Sequence, residues 1–574
     1  MKLKNIFPFL SLLFLVGCDV TELPYGSVTD EELETNPDAV NSITLGTYAK
    51  LKNGDLPFYM HRCTEYMSDN VALSGTTTSG LMYIYNFQRI ANNGYLNDHW
   101  GLIYKSIINC NNAIAKAKEG ISPELDHVIG ENYFLRGWFY FLLSNFYGRQ
   151  YSIAKDSDLG VPMKLTADPL DYPERTPVKE MYKQIVADLQ KAESLMNSSN
   201  VTKSSLYANV WAVRGMLSRV FLYMHDYENA IKYASDVITN APMKLLSTQE
   251  YSIMNELAPE QNYEALFQSK NPKELYKPSS DDAGFMYAVI DGKGYGEMYA
   301  SQSLLDVLHS YSTDVRQNFI KPAYVKTGGD EFIFIDHDYL FDAQGNPDPL
   351  KRKYYRFNDV VMIDGKYQIL NPEKNNVLDF KTNNLIEEDG HYFVEYRQKR
   401  KVNSEWIYSN YMKREVKIQR KMEKRNDYPK YYHYKISYQE KQSHLHSPIH
   451  IRLGEVYLNR AEAYAALGNV PQAVNDLNVI RDRAGIPLIN SEIKVNDIMD
   501  SVLVERQKEL FLEGHRFYDL MRNNRVLIRT YPGTHDKGNP QTVVQYVRAT
   551  DNCAIQFIPQ RELDAYPIKL PQND

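Results

Sequence analysis

Cysteine is nearly absent from this chain: four in 574 residues. None stands in a Cys-x-x-Cys pair, so thiol-based zinc or redox chemistry is not expected. Cys63, Cys110 and Cys553 are an odd set, which allows at most one disulfide. Tryptophan is equally scarce, with 4 residues beside 45 Tyr and 22 Phe. An excess of positive charge is missing too. The formal net charge is −7, which leaves no electrostatic footprint for nucleic acid. Beyond the N-terminus no apolar run reaches the roughly 20 residues that a membrane-spanning helix needs. What is present is a globular balance of 43% hydrophobic and 24% charged residues. The length fits several ordinary domains or one large domain with insertions. The abundant tyrosines each offer a flat apolar face with a polar tip. That suits a half-buried core edge as well as a sugar-stacking surface.

The N-terminus carries the sharpest local signal. Lys2 and Lys4 precede an apolar run from Ile6 to Val16, too short to cross a bilayer and shaped like a secretory signal peptide over residues 1–17. It ends Leu15-Val16-Gly17-Cys18, which resembles the bacterial lipobox. In that pattern Cys18 takes a thioether-linked diacylglycerol and its freed amine is acylated. Two or more acyl chains anchor stably. Residues 18–35, polar and with Pro24, Gly26 and Asp30-Glu31-Glu32, read as a tether.

Helical periodicity dominates residues 36–242 and 448–574. Helices are expected over Asn36–Lys52, Asp98–Lys118, Pro123–Tyr147, Val178–Met196 and Ser205–Met224. The Pro123 helix is apolar nearly all round and should be buried on several sides. Two stretches repeat each other. Aligning Ala230 with Ala473 also pairs Ser218 with Ala461 and Phe221 with Tyr464, and Pro242 and Pro487 close the two units. Small residues at the crossing and a tight turn resemble tetratricopeptide helix pairs. Residues 243–447 break the pattern. Gly and Pro become frequent, and strand-like runs occur at Tyr263–Gln268, Glu331–Ile335, Tyr392–Arg397 and Trp406–Tyr411. The fold class is therefore mainly α, a scaffold of helix pairs with an irregular, partly β, loop-rich subregion. Residues 36–574 are expected to form one compact domain, with the irregular part as the natural place for a binding site.

Several motifs invite a chemical reading. Glu505, Arg506, Glu509, Glu513, Arg516, Asp519 and Arg522 resemble an acid–base array, and paired carboxylates can do general acid–base work. Their spacing on one otherwise apolar helix instead favours a semi-buried ion network joining helices. His444, His446 and His450, with His433 nearby, offer weak metal-ligand spacing interrupted by Pro448, so no metal is expected. Gly292, Gly294 and Gly296 lack the strand–helix context of a phosphate loop and read as a bend.

The motifs together resemble the SusD/RagB family of outer-membrane nutrient-binding lipoproteins. The resemblance rests on Cys18; on Trp100, Tyr104, Ile107 and Asn111; on Arg136-Gly137-x-Phe139-Tyr140 through Gly148 and Gly160-Val161-Pro162; and on Thr313-Asp314-Val315-Arg316. The C-terminal set is the most specific: Arg452-Leu453-x-Glu455 through Ala463, then Ile480-Arg481-x-Arg483-Ala484-Gly485, then Glu505-Arg506 through Leu520. Residues from about Lys321 to Lys441 depart from the common pattern as an expanded insertion. The resemblance implies tetratricopeptide-like units, no catalysis, no cofactor, oligosaccharide as ligand, and a TonB-dependent SusC-like transporter as partner in the outer membrane. Peptide cargo, or a protein-binding adaptor role, is the alternative. A sugar site needs aromatic faces and hydrogen-bonding side chains. The loops where the family gathers ligand contacts supply Asn70, Tyr83, Tyr85 and Arg89 in one, and Tyr287, Tyr295 and Tyr299 in the other. Trp100 reads as core, and Trp406 is a further ligand candidate inside the insertion.

Overall fold

The computed structural model describes residues 36–574 apart from 53, 74–78, 338–352, 491, 530–531 and 533–545. Cys18, the signal peptide and the tether lie outside the described residues.

Helices form the frame: α1 (Pro37–Ala49), α2 (Leu56–Thr64), α3 (Ser79–Tyr85), α4 (Gly94–Lys116), α5 (Pro123–Tyr147), α6 (Val178–Ser199), α7 (Val210–Met224), α8 (Tyr227–Asn240), α9 (Gln302–Leu308), α10 (Leu453–Ala466), α11 (Val470–Arg483), α12 (Val495–Leu510) and α13 (Arg516–Arg522). Their ends follow local chemistry. The Ser122 hydroxyl accepts from Leu125 N at 3.2 Å, Pro123 fills the first turn, and Gly148 ends α5. Helix α7 starts at Val210, not at Ser205, because the Asn209 side chain caps it by accepting from Trp211 N and Ala212 N. Each of the two repeated units is a helix pair in space, α7 with α8 and α10 with α11. Ser218 on α7 and Ala461 on α10 are both fully buried, and Asn459 on α10 donates to the Ser218 hydroxyl at 3.2 Å.

Helix α5 lies at the centre. Most of its residues are buried, Trp138 at 1% exposure. Arg136 makes two hydrogen bonds to Asp188 on α6, at 2.8 and 2.7 Å, and a third to Asn111 on α4 at 2.9 Å. Beside it, Gly137 leaves room for α6, since a Cβ there would meet Asp188 and Leu189 at 3.3 Å. That pair of residues sets the crossing of three helices. Trp100 is buried against Tyr104 and Tyr147. One apolar cluster runs through the frame from Tyr48 to Ile558.

Strand β1 (Val71–Leu73) is short, as is β2 (Ala265–Gln268). β3 (Met298–Ala300) pairs antiparallel with β1. The insertion is far more regular than its sequence suggests. Its strands are β4 (Asp330–His337), β5 (Lys353–Ile363), β6 (Lys366–Ile369), β7 (Leu378–Phe380), β8 (Ile386–Glu388), β9 (His391–Val402), β10 (Glu405–Tyr408) and β11 (Met412–Arg420). Among the described residues they form an eight-stranded sheet of order β7-β9-β11-β4-β5-β6, with β8 and β10 also paired to β9. All its pairings are antiparallel. One face carries its own apolar layer, with Phe332, Phe334, Val394, Tyr396 and Val416 buried. β12 (Ile449–Arg452) pairs with β2 and leads directly into α10.

The single helix expected through Glu505 and Asp519 is two helices. α12 ends at Leu510, Leu512 and Gly514 take positive φ, and α13 restarts at Arg516. Lys435 satisfies the carbonyls freed at the break. Its ammonium donates to Glu509 O at 2.7 Å and Phe511 O at 2.8 Å. Cys63, Cys110 and Cys553 are free thiols. Among the described residues no helix is long and apolar enough to cross a membrane.

Candidate ligand-binding surface

The two loops singled out by sequence meet at their bases. β1 opens the first loop and β3 closes the second, with Ala72 opposite Tyr299. The junction is pinned from the C-terminal helices. Arg516 holds both Asp69 oxygens, at 2.8 and 3.0 Å, and Gln507 donates to the Asn70 side chain at 3.0 Å. Arg529, itself buried, collects the carbonyls of Tyr66, Ser68 and Tyr85. One guanidinium thus staples the entry and the exit of the first loop, in a part of the chain where no pattern signals it.

Burial sorts the candidates. Asn70 is fully buried and serves Gln507. Tyr85 is buried beneath the Arg529 guanidinium, 4.3 Å from its ring centre. Tyr287 is buried among His61, Tyr66 and His433. Tyr299 is buried against Tyr428 and Tyr432. In this conformation these four side chains support the loops and present no open face. Tyr83 and Arg89 are half-buried, the Arg89 guanidinium lying 4.2 Å from the Phe557 ring centre. Tyr295 is 51% exposed, its ring edge-on to Phe285.

The glycine-rich turn bends toward its neighbours. Gly292, Gly294 and Gly296 all have positive φ, and a Cβ on Gly294 would fall on the Ala288 carbonyl oxygen. His444 sits against Phe285 and reaches the Lys293 carbonyl at 2.9 Å. His450 lies between Trp138 and Phe267, beside the Ser269 hydroxyl at 2.8 Å. His444 thus serves a different neighbourhood from His450, while His446 lines one pocket with His450 and His61. Among the described residues no group of three or more His, Cys, Asp or Glu could hold a metal ion.

The carboxylates that resembled an acid–base array are occupied. Glu509 faces Arg316, Arg452 and Arg483. Glu513 takes Arg452 at 2.8 Å and Lys435 at 2.6 Å. Glu505 takes Arg316 at 2.6 Å and Arg481 at 2.9 Å, and Asp519 takes Arg506 at 2.8 Å and Arg522 at 2.6 Å. Burial alone would push the Glu513 carboxyl up, but Arg452 and Lys435 outweigh it and hold the group down at about 2. Glu509 and Asp519 are likewise held well below the usual range: burial is outweighed by Arg483, Arg452 and Arg316 for the one, and by Arg506 and Arg522 for the other. A carboxylate held this low is a poor proton donor or acceptor near neutrality.

Open space lies on the insertion sheet, where sequence reasoning named only Trp406. One concavity of about 630 Å³ is lined by Asn358, Asp359, Asn371, Asn375, Tyr355 and Lys421, among others. A second, of about 480 Å³, is lined by Gln302, His309, Tyr355, Arg414, Lys417 and Tyr431, among others. Tyr355 belongs to both and donates to the Gln302 amide oxygen at 2.6 Å. The run of asparagines at 371, 375 and 376 was the available signal. The amides and the half-buried Tyr431 can orient a polyhydroxylated ligand by hydrogen bonds and a ring face.

Comparison with known proteins gives this arrangement its context. A family model described as the SusD family matches residues 252–570, and one described as starch-binding associating with outer membrane matches residues 26–222. SusD-like protein P2 of Formosa agariphila is 26% identical over 310 residues, covering 52% of this chain and 56% of that protein. The chain thus spans about half the length of that curated relative. A SusD superfamily protein from Bacteroides thetaiotaomicron superposes with a TM-score of 0.68 at 23% identity, covering 94% of this chain and 99% of that one. A SusD-like carbohydrate-binding protein from Bacteroides vulgatus gives 0.64 at 18% identity, covering 93% and 97%. At these identities the structures establish a shared fold. The C-terminal match alone takes in more than half of the residues, and the chain belongs to the SusD family.

Proposed function

We propose that this protein captures oligosaccharide at the outer membrane and passes it to a TonB-dependent SusC-like transporter, without altering it chemically. The observation that carries this reading is a division of labour. The carboxylates of the C-terminal array are locked into buried ion pairs, while the open concavities offer amides (Asn358, Asn371, Asn375), Tyr355 and charged side chains such as Asp359 and Lys421. The starch-binding description of the matching N-terminal model supports a carbohydrate ligand. Cys18 carries the lipid anchor in this reading, and the body stands on the 18–35 tether. Residues 243–447 bear the ligand face, framed by the helical parts 36–242 and 448–574. Tyr83, Arg89 and Tyr295 contact sugar directly, and Asn70, Tyr85, Tyr287 and Tyr299 hold the loops that present them.

The test is a glycan array probed with the full chain, followed by calorimetry and product analysis. One glycan class binds, and the recovered glycan is intact. Tyr295→Ala weakens binding by about tenfold, the loss of one good contact, and leaves the melting temperature in place. Binding of peptides but no glycan, or release of shortened glycan, contradicts the proposal. Cys18→Ala followed by cell fractionation moves the protein out of the membrane fraction if the anchor is as proposed.

A further inference from the structure

The insertion sheet carries a patch that neither the loops nor the concavities account for. Strands β9 and β10 form a hairpin whose turn, Asn403-Ser404, has positive φ at both residues. Its register sets Lys399 opposite Tyr408 and Lys401 opposite Trp406. Alternation along a strand then puts Arg397, Lys399, Lys401, Trp406 and Tyr408 on one face. The aromatics there stay open: Trp406 is 46% exposed, Tyr408 42% and the nearby Tyr411 45%. The cations lie against them. Arg397 is 3.9 Å from the Tyr408 ring centre and 5.0 Å from that of Tyr411, and the Lys399 ammonium is 5.6 Å from Trp406. Arg397 also pairs with Asp379 at 2.6 Å. Lys399 and Lys401 have no carboxylate within salt-bridge reach among the described residues. From 397 to 414 the sequence holds six cations and one carboxylate, Glu405, in a chain whose net charge is −7; Lys413 and Arg414 pair with Glu388 and Asp336 on other strands of the sheet.

We infer that this hairpin face is a second glycan-binding site, selective for acidic polysaccharide bearing carboxylate or sulfate groups. The inference rests on the proposed glycan-capture function and names the ligand class for a separate surface. Trp406 and Tyr408 stand about 7 Å apart along the strand, so a linear chain lying on them meets rings in succession. The unpaired ammonium groups then sit beside the rings, where the acid groups of such a chain fall. The alternative occupant, a lipid surface, fits less well. The outermost residues are Asn403, Ser404 and Glu405, so a carboxylate and an amide would enter the bilayer first, with the aromatics set back along the strand.

The experiment measures binding of the full chain to two matched pairs: polygalacturonate against its methyl-esterified form, and dextran sulfate against dextran. The acidic member of a pair binds, the neutral member binds at least about tenfold more weakly, and the difference shrinks as NaCl is raised because exposed charges are screened. Trp406→Ala with Tyr408→Ala, and separately Lys399→Ala with Lys401→Ala, each reduce that binding by at least about tenfold with an unchanged melting temperature. Equal binding of acidic and neutral members, indifferent to these variants but sensitive to Tyr295→Ala, overturns this assignment and leaves the general function standing. Absence of any glycan binding overturns both. Binding of phosphatidylglycerol vesicles that the same variants abolish, with glycan binding intact, assigns the patch to a membrane and also overturns it.

Discussion

Replacing Glu509 by Gln tests whether the buried charges are framework or machinery. Five cations (Arg316, Lys435, Arg452, Arg481, Arg483) and five carboxylates (Glu264, Asp314, Glu505, Glu509, Glu513) are joined by salt bridges into one balanced cluster. Gln keeps the shape at position 509 and removes one negative charge, leaving an uncompensated cation where Glu509, Arg316 and Arg452 are at most 1% exposed. Breaking a buried pair in this way costs about 3–5 kcal/mol. Unfolding entropy of roughly 2.1 cal/mol/K per residue gives about 1.2 kcal/mol/K for 574 residues. The midpoint should therefore fall by about 2.5–4 °C in differential scanning calorimetry. The gap should persist in about 1 M NaCl, because buried charges escape screening. A midpoint within about 1 °C of the parent's, or a gap that closes in salt, refutes the buried-network argument. A parent that cleaves glycan, beside a folded but inactive variant, refutes the structural assignment altogether.

His99, His433 and His515 are buried, and burial pushes them down to about 3, 3 and 4. In the unfolded chain they take protons near 6.5, so stability drains away as pH falls below that value, by up to about 2 kcal/mol each at pH 5. Glu65, pushed up by burial to about 7, works the other way and returns stability between 7 and its unfolded value. Thermal melts from pH 7 to 5 should show a net fall, and a flat or rising profile contradicts it. Arg529→Gln strands carbonyls of Tyr66, Ser68 and Tyr85 in the interior, at about 1–3 kcal/mol per buried group. It should open the first loop to proteolysis ahead of the rest of the chain. Gly294→Ala drives a methyl into the Ala288 carbonyl oxygen and should lower stability and disorder the second loop, read as faster amide exchange around Tyr295.

The parts of the fold legible in the sequence are those written locally. Pro123 after Ser122 starts α5 and Gly148 ends it. The pairing of Ser218 with Ala461 marked two equivalent helix crossings, and both residues are buried. Arg–carboxylate spacing disclosed the ion network even though the helix assumed to carry it breaks after Leu510. That success has a simple reason: charges embedded in an apolar stretch must find partners whatever the backbone does. The misplaced boundary at Ser205 came from overlooking Asn209 as a cap.

The candidate site was less legible because exposure is not a local property. Tyr295 and Tyr299 stand four residues apart in one tyrosine-rich loop, yet one is 51% exposed and the other fully buried. The difference is made by Tyr428 and Tyr432, more than a hundred residues away, which close over Tyr299. Register in the insertion is likewise set by pairings that no short window contains. The same argument says where sequence does speak for surface. Lys399, Lys401, Trp406 and Tyr408 sit at a hairpin turn, and a strand paired on one side only has little to cover it. Charge and aromatic rings placed there must either be solvated or meet a ligand, and aromatics left to water carry a cost that a binding partner removes.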